Sequence, residues 1–325
     1  MSSPQRGNLL TRVKRIIPPL SGSAHKGQAG RVGIFGGCQH YTGAPYYSSM
    51  SSMLFGTDQS HIFCEKNAAN VIKSYSPDLI VHPFLREKEN KNPGDSIDGI
   101  LELVKPMMER LHAIVIGPGL GRDEWMLETT ARVIQYAREK EMPMVIDADG
   151  LFLIQQRPEV VSGYHNVVLT PNVVEFKRLC EKVNIESEGP DACHQLAKKL
   201  NLLIIQKGKE DLISDGGTTY ACSVPGGLKR CGGQGDILTG ILVTFLAWRN
   251  AYLNKQWDIE GDMDAKECLF LAAYGACATT RWCSRVSFKE CGRATQSSDL
   301  VRHVGHVYNA LMDDEIPSTE QMVKE

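Results

Sequence analysis

The sequence predicts an α/β protein of three layers, a mainly parallel, doubly wound sheet between two sets of helices, and three observations carry that reading. Short apolar runs alternate along the chain with longer amphipathic stretches. The short runs are continuously apolar rather than alternating in polarity, as strands covered on both faces are. Glycines, prolines and acids gather just after these runs, where open α/β sheets place their ligands.

The opening stretch, MSSPQRGNLLTRVKRIIPPL, interleaves Arg6, Arg12, Lys14 and Arg15 with Leu9, Leu10, Val13, Ile16 and Ile17. Organelle-targeting helices share that pattern. So does a helix that docks on its own protein and is stopped by Pro18 and Pro19, and the docking helix is the reading carried forward. Strands are expected at Arg31 to Phe35, His61 to Cys64, Leu79 to Val81, Ala113 to Ile116, Met144 to Asp147, Val167 to Thr170 and Leu202 to Gln206.

Helices are expected between them, the clearest at Glu124 to Lys140, where Glu124 and Glu128 come early and Arg138 and Lys140 late, with Pro143 just beyond. The others are Ala44 to Phe55, Val173 to Glu181, Asp191 to Leu200, Asp236 to Arg249, Ala265 to Ser284 and Asp299 to Leu311. Strand, helix, strand in this order gives right-handed crossovers. Arg86 to Asp98 and Asn254 to Asp264 read as surface loops and Asp313 to Glu325 as a loose tail. With no composition shift or repeat, residues 1–312 read as one domain.

Composition narrows the function. A formal net charge of −2 carries no electrostatic footprint for nucleic acid. The longest apolar run, Ile237 to Trp248, falls short of the roughly 20 residues a membrane helix needs and is broken by Thr239 and Thr244. Ten cysteines with no CxxC pair and no secretory signal suggest reduced thiols. The expected setting is cytoplasmic, with the basic N-terminus leaving room for an organellar copy, and the oligomeric state is open. His303 and His306 match no zinc spacing and read as a helix surface.

Chemistry concentrates at KRCGGQGDILTGIL, Lys229 to Leu242. Gly232, Gly233 and Gly235 let the backbone approach a ligand closely, and the helix that follows opens with unpartnered N–H groups that suit a phosphate. Asp236 then stands within reach of whatever those amides hold, placed to take a proton from an attacking hydroxyl. The spacing alone leaves a second reading open, in which the glycines make a turn and Asp236 caps the helix. Further loops of the same character weigh against it. GGCQHYTGAP, GPGLGRD, DADG, TPNVVEF and KGKED each follow an expected strand. GPGLG is not a dinucleotide fingerprint, because its spacing is not GxGxxG, the first strand does not carry it, and no acid closes the following strand about twenty residues later. No GxxxxGK[ST] loop occurs either.

These residues resemble a known family. Gly233, Gln234, Gly235 and Asp236 match the GxGD signature of the ribokinase-like superfamily, and Asn172, Val173, Val174 and Glu175 its NxxE signature. The strings HKGQAGRVGIFGGCQHYTGAPYYS, VIGPGLGRD, VIDADGL, LTPNVVEF, QKGKEDLIS and KRCGGQGDILTG resemble, in order, the eukaryotic ATP-dependent NAD(P)H-hydrate dehydratases from about Asn8 to Leu311.

The resemblance implies a ribokinase-like fold and a lyase of metabolite repair, which returns the S-form of NADH hydrate or NADPH hydrate to the intact cofactor while ATP becomes ADP and phosphate. It implies Asp236 as the catalytic base. Gly119, Asn172, Val173, Val174, Glu175, Phe176, Lys177, Arg178 and Asp236 would contact the hydrate. Lys207, Gly208, Lys209, Glu210 and Asp211 would contact ATP, together with Gly226, Gly227, Leu228, Lys229, Arg230, Cys231, Gly232, Gly233, Gln234 and Gly235. By the same analogy Glu175 would hold Mg²⁺ through water.

One residue departs from the wider superfamily. Gln234 stands where a small residue is usual, which turns the reading away from a generic sugar kinase. Lys26, Asp147 and Asp149 receive no role. The alternatives are a small-molecule kinase of this fold, of hydroxymethylpyrimidine or sugar type, and a nucleotide-sensing module. The second has no need of Asp236, Glu175 and Lys207 together.

Overall fold

The computed structural model describes residues 3–22, 26–258 and 263–313. It opens with α1 (Ser3–Lys14), β1 (Arg31–Phe35), α2 (Gly43–Leu54), β2 (Gln59–Glu65), α3 (Lys66–Tyr75), β3 (Ile80–Leu85), α4 (Ile97–Met108) and β4 (Ala113–Ile116). Next come α5 (Glu124–Glu139), β5 (Met144–Ile146), α6 (Ala148–Gln156), β6 (Val167–Leu169), α7 (Val173–Lys182), α8 (Ala192–Leu200) and β7 (Leu203–Gln206). The last are β8 (Asp211–Ser214), β9 (Thr219–Cys222), α9 (Gln234–Leu253), α10 (Ala265–Cys291) and α11 (Ser297–Met312).

The nine strands of the described residues form one sheet in the order β3-β2-β1-β4-β5-β6-β7-β8-β9. The ladders from β3 to β7 are parallel, and β8 and β9 add an antiparallel edge. Strand order reverses between β1 and β4, which opens a crevice above their carboxyl ends. The loops leaving these strands are tied there. The Gly37 amide donates to both Pro118 and Gly119 carbonyls, at 3.1 and 3.0 Å.

Side chains alternate along each parallel strand between two cores. Val32, Ile34, Val115 and Ile205 face a core completed by α2, α9, α10 and α11, whereas Phe35, Ile114, Ile116 and Ile204 face one built with α4 to α8. Both faces are therefore dry, as the continuous apolar runs require. Leu9, Val13, Ile16 and Ile17 are buried in the first of these cores, so the amphipathic opening packs on the protein as a docking helix.

α9 is apolar on every side because it lies beneath the sheet and against α2. Gly240 permits that approach. A Cβ there would stand 2.0 Å from the Ser48 carbonyl oxygen. The serines of α2 that meet it are small and mostly satisfied, Ser48 by Thr239 at 2.9 Å and Ser49 by Ser60 at 2.6 Å.

The expected strands and helices all form, with boundaries shifted by a few residues. β8, β9, α3, α4 and α6 were not expected, and α4 begins inside the anticipated loop Arg86 to Asp98. The loop from Asn254 to Asp264 lies partly outside the described residues, and the tail lies outside them beyond residue 313. His303 bonds Glu290 at 2.8 Å on the helix surface. None of the ten cysteines is in a disulfide. Among the described residues no helix is long and apolar enough to cross a membrane.

Candidate active site

The carboxyl ends of β5, β6 and β7 and the N-terminus of α9 converge on one cleft. Gly233, at the N-cap of α9, has φ of +99°, a conformation that strains residues with a Cβ. It turns the chain so that the first amides of α9 face the cleft, with Asp236 in the first turn.

Asp147 stands at the N-cap position of α6 yet makes no cap bond. Ala148 takes φ of +47° beside it, and the Asp147 carboxylate reaches instead to the Lys207 ammonium at 2.7 Å. A non-glycine residue in the left-handed region next to a buried acid is stored strain of the kind that sites retain. The pair lies against Gly235. A Cβ there would meet Asp147 Oδ2 at 3.0 Å and Lys207 Nζ at 3.2 Å.

Burial first, and then the neighbouring Asp147 carboxylate, push Asp236 up to about 7, with Lys207 pulling the other way. Desolvation disfavours the Lys207 ammonium, but Asp147, Glu175 and Asp236 outweigh it and its pKa ends raised. Glu175 is also raised, by burial, against the pull of Lys207. The cluster is thus acids sharing one lysine, and Asp236 is poised as a base that titrates near neutrality.

Glu175 and Asn172 form a capping box on α7. Asn172 accepts from the Val174 and Glu175 amides at 2.9 and 3.0 Å, and Glu175 Oε2 accepts from the Asn172 amide at 2.8 Å. Asp149 joins two loops, accepting from the Gly121 amide at 3.0 Å and from Arg122 at 3.2 Å. Among the described residues no three acidic, histidine or cysteine side chains converge as a metal cage.

The cleft encloses about 820 Å³ between Asn172, Val173 and Val174 on one side, Lys207, Gly208, Lys209 and Asp211 on another, and the segment Gly226 to Gly235. Gly226, Arg230, Cys231, Gly232, Gly233, Gln234 and Gly235 line it. Glu210, Gly227, Leu228 and Lys229 do not, and Leu228 is largely exposed. Lys177 and Arg178 sit exposed farther along α7, while Phe176 packs in the core. Gly119 belongs to the crevice between β1 and β4, where it abuts Tyr41. Lys26 lines a separate cavity with Trp248, Trp257 and Tyr308, so it takes no part in this site.

Sequence reasoning missed the α10 wall, formed by Thr280, Arg281 and Ser284. A lone arginine inside the apolar stretch Ala265 to Ser284 was the one available signal. Tyr47 was also missed. Its ring is 3.2 Å from where a Gly233 Cβ would stand.

The sequence profile of a family described as NAD(P)H-hydrate dehydratase matches residues 32–304. An ATP-dependent (S)-NAD(P)H-hydrate dehydratase of Schizosaccharomyces pombe is 80% identical over 323 residues, covering 99% of each chain. The Homo sapiens protein of that name is 43% identical over 311 residues, covering 94% of this chain and 85% of its own.

Two solved structures share the fold. A ribokinase-like superfamily protein of Enterococcus faecalis superposes with a TM-score of 0.71 at 20% identity, covering 96% of this chain and 95% of its own. The Bacillus subtilis ADP/ATP-dependent NAD(P)H-hydrate dehydratase, co-crystallised with ATP and Mg²⁺, does so at 0.65 and 19% identity, covering 93% and 97%.

Proposed function

This chain belongs to the NAD(P)H-hydrate dehydratase family, and from that premise we propose that it uses ATP to dehydrate the S-form of NADH hydrate and NADPH hydrate to NADH and NADPH. The observation that carries the assignment of roles is Asp236 itself, pushed up to about 7 in the first turn of α9 beside Asp147 and Lys207, directly behind the glycines that line the cleft.

Hydroxide leaves carbon poorly and phosphate leaves it well, which is why a kinase fold suits a dehydration. The C6 hydroxyl oxygen attacks the γ-phosphorus, its proton passes to Asp236, and the bond to the ADP oxygen breaks. The C6–oxygen bond of the resulting ester then breaks with its electron pair leaving on phosphate. A proton leaves C5 and the ring double bond returns. The amides of Gly233, Gln234 and Gly235 hold the phosphoryl group as charge develops on it. Asn172, Val173, Val174 and Glu175 at the start of α7, and Gly119 in the crevice between β1 and β4, are the residues that would contact the hydrate.

The residues present suit Mg²⁺ carried mainly by nucleotide phosphates and water, because Asp147 is taken by Lys207 and Asp211 by Arg281. Glu175 keeps one carboxylate oxygen clear of its capping bond and is the residue that would hold the ion through water. When bound, Mg²⁺ neutralises phosphate charge.

The test is recovery of the reduced-nicotinamide absorbance, near about 340 nm, when protein, Mg²⁺ and ATP meet NADH hydrate, with ADP run in parallel. Recovery with ATP and release of free phosphate is the expected result. A stable phosphorylated hydrate would instead make the protein a kinase.

A further inference from the structure

Arg281 lies inside α10, 7% exposed, in a helix otherwise given to packing. Its guanidinium spends itself on the two chain segments that flank the cleft. Nε donates to Asp211 Oδ2 at 2.7 Å, Nη2 to the Gly208 and Lys209 carbonyls at 3.0 and 2.7 Å, and Nη1 to the Val224 carbonyl at 3.2 Å. Asp211 closes the arrangement by accepting from the Gly208 amide at 3.1 Å.

One turn along the same helix face, Ser284 Oγ accepts from the Gly227 amide and from the Gln234 side chain, each at 3.2 Å. A single turn of α10 therefore ties the KGKED loop to the segment that leads into the α9 N-terminus.

The trans peptide sets the consequence. A carbonyl and the N–H that follows it point in opposite directions, so turning the Gly208 and Lys209 carbonyls toward Arg281 turns the Lys209 and Glu210 N–H groups away from α10. Neither N–H has a protein partner among the described residues. Lys209 lines the cleft, so its unpartnered N–H is a donor of the kind that receives phosphate oxygens.

We propose that Arg281 is a positioning residue for the nucleotide, fixing the two segments in register and presenting the Lys209 amide to the phosphates of ATP. This rests on the reading of the cleft as an ATP site. It is independent of what the phosphoryl group is transferred to. Arginine is required because four acceptors surround it, whereas a lysine offers three donors on a shorter reach.

The experiment measures binding of a non-hydrolysable ATP analogue without hydrate, and separately KM and kcat for ATP and hydrate, in wild type, Arg281→Lys and Arg281→Ala. Expected is a rise of tenfold or more in the analogue Kd and in KM for ATP. KM for hydrate should stay within about twofold, and kcat at saturating ATP within about threefold. Added guanidinium ion at low concentration should restore analogue affinity to Arg281→Ala, a rescue that mere restoration of stability would not give.

Folded variants that bind the analogue like wild type would overturn the proposal, as would equal losses for ATP and hydrate. Should Arg281→Ala not fold, Arg281→Lys carries the test. Failure of both to fold would make Arg281 a core residue and sink the idea. Analogue binding is read without turnover, so a failed dehydratase assay leaves this result standing.

Discussion

α9 carries one unusual charge near each end, and the two have opposite fates. Toward its C-terminal end Arg249 is 3% exposed, and each of its three nitrogens is bonded, Nε and Nη2 to the Ala265 carbonyl at 3.0 and 2.9 Å and Nη1 to Asn166 at 3.2 Å. In the first turn, the Asp236 carboxylate has no side-chain bond among the described residues and faces another acid, Asp147. Burial shifts both groups away from their charged forms. A displaced pKa therefore does not separate machinery from scaffold. Spent or unspent hydrogen-bonding capacity does: Arg249 is a staple between α9, α10 and the turn before β6, and Asp236 keeps its lone pairs uncommitted, as the role of base proposed for it requires.

The largest expected effect comes from Asp236→Asn. Hydrate turnover should fall on the order of 10² to 10⁴-fold, while the melting temperature holds or rises, because a crowded acid has been removed. Retained turnover would reduce Asp236 to a cap. Arg249→Met should do the reverse, costing about 3 kcal/mol of stability through the stranded Ala265 carbonyl. Denaturant unfolding measures that cost, and turnover by the folded fraction should stay within about twofold of wild type. A variant that is stable but inactive would erase the contrast between the two ends.

A smaller effect concerns pH. The base must be ionised, and Asp236 sits at about 7, so kcat/KM for hydrate should fall about tenfold per unit below that value. A flat profile from pH 5 to 8 would remove Asp236 from the rate equation.

The smallest effect pits Asp236 against His61. Asp236 holds a proton more tightly folded than unfolded, so its contribution to stability grows as pH falls through 7 toward the ordinary carboxylate range. His61 is held at about 4 by burial and by His82, with which it shares a 3.0 Å contact. Kept neutral in the fold, it loses stabilising value as pH drops below the ordinary histidine value of about 6.5. Acidification from about pH 6.5 to 4.5 should therefore lower the melting temperature of Asp236→Asn by a few degrees more than that of wild type. Equal slopes would mean that Asp236 does not titrate in that window.

The sequence made the parallel strands legible because each is a continuous apolar run under helices on both sides. β8 and β9 escaped notice for the opposite reason. DLIS and TYAC are short, half polar and at the antiparallel edge, where one face need not be apolar. α4 follows directly on a polar loop and holds Pro106 inside it, a residue that local helix rules disfavour there. In the site, the glycine loops and Asp236 were visible because turns and helix N-termini have local codes. The Asp147–Lys207 pair was not, being 60 residues apart in sequence. Arg281, whose partners lie on segments 57 to 73 residues away, was equally hidden.

The Gly37 amide, shared between Pro118 and Gly119, has a bearing on how this enzyme could be re-engineered. A Cβ at the adjoining Gly36 would stand 2.0 Å from the Pro118 carbonyl oxygen, so each loop is the mould of the other. Exchanging GGCQHYTGAP alone for a longer or bulkier counterpart would collide with GPGLG. The reciprocal exchange would strand the Gly37 donor. The two form one cassette split by the intervening chain, and a graft that alters this wall of the crevice succeeds only when both halves are transplanted together.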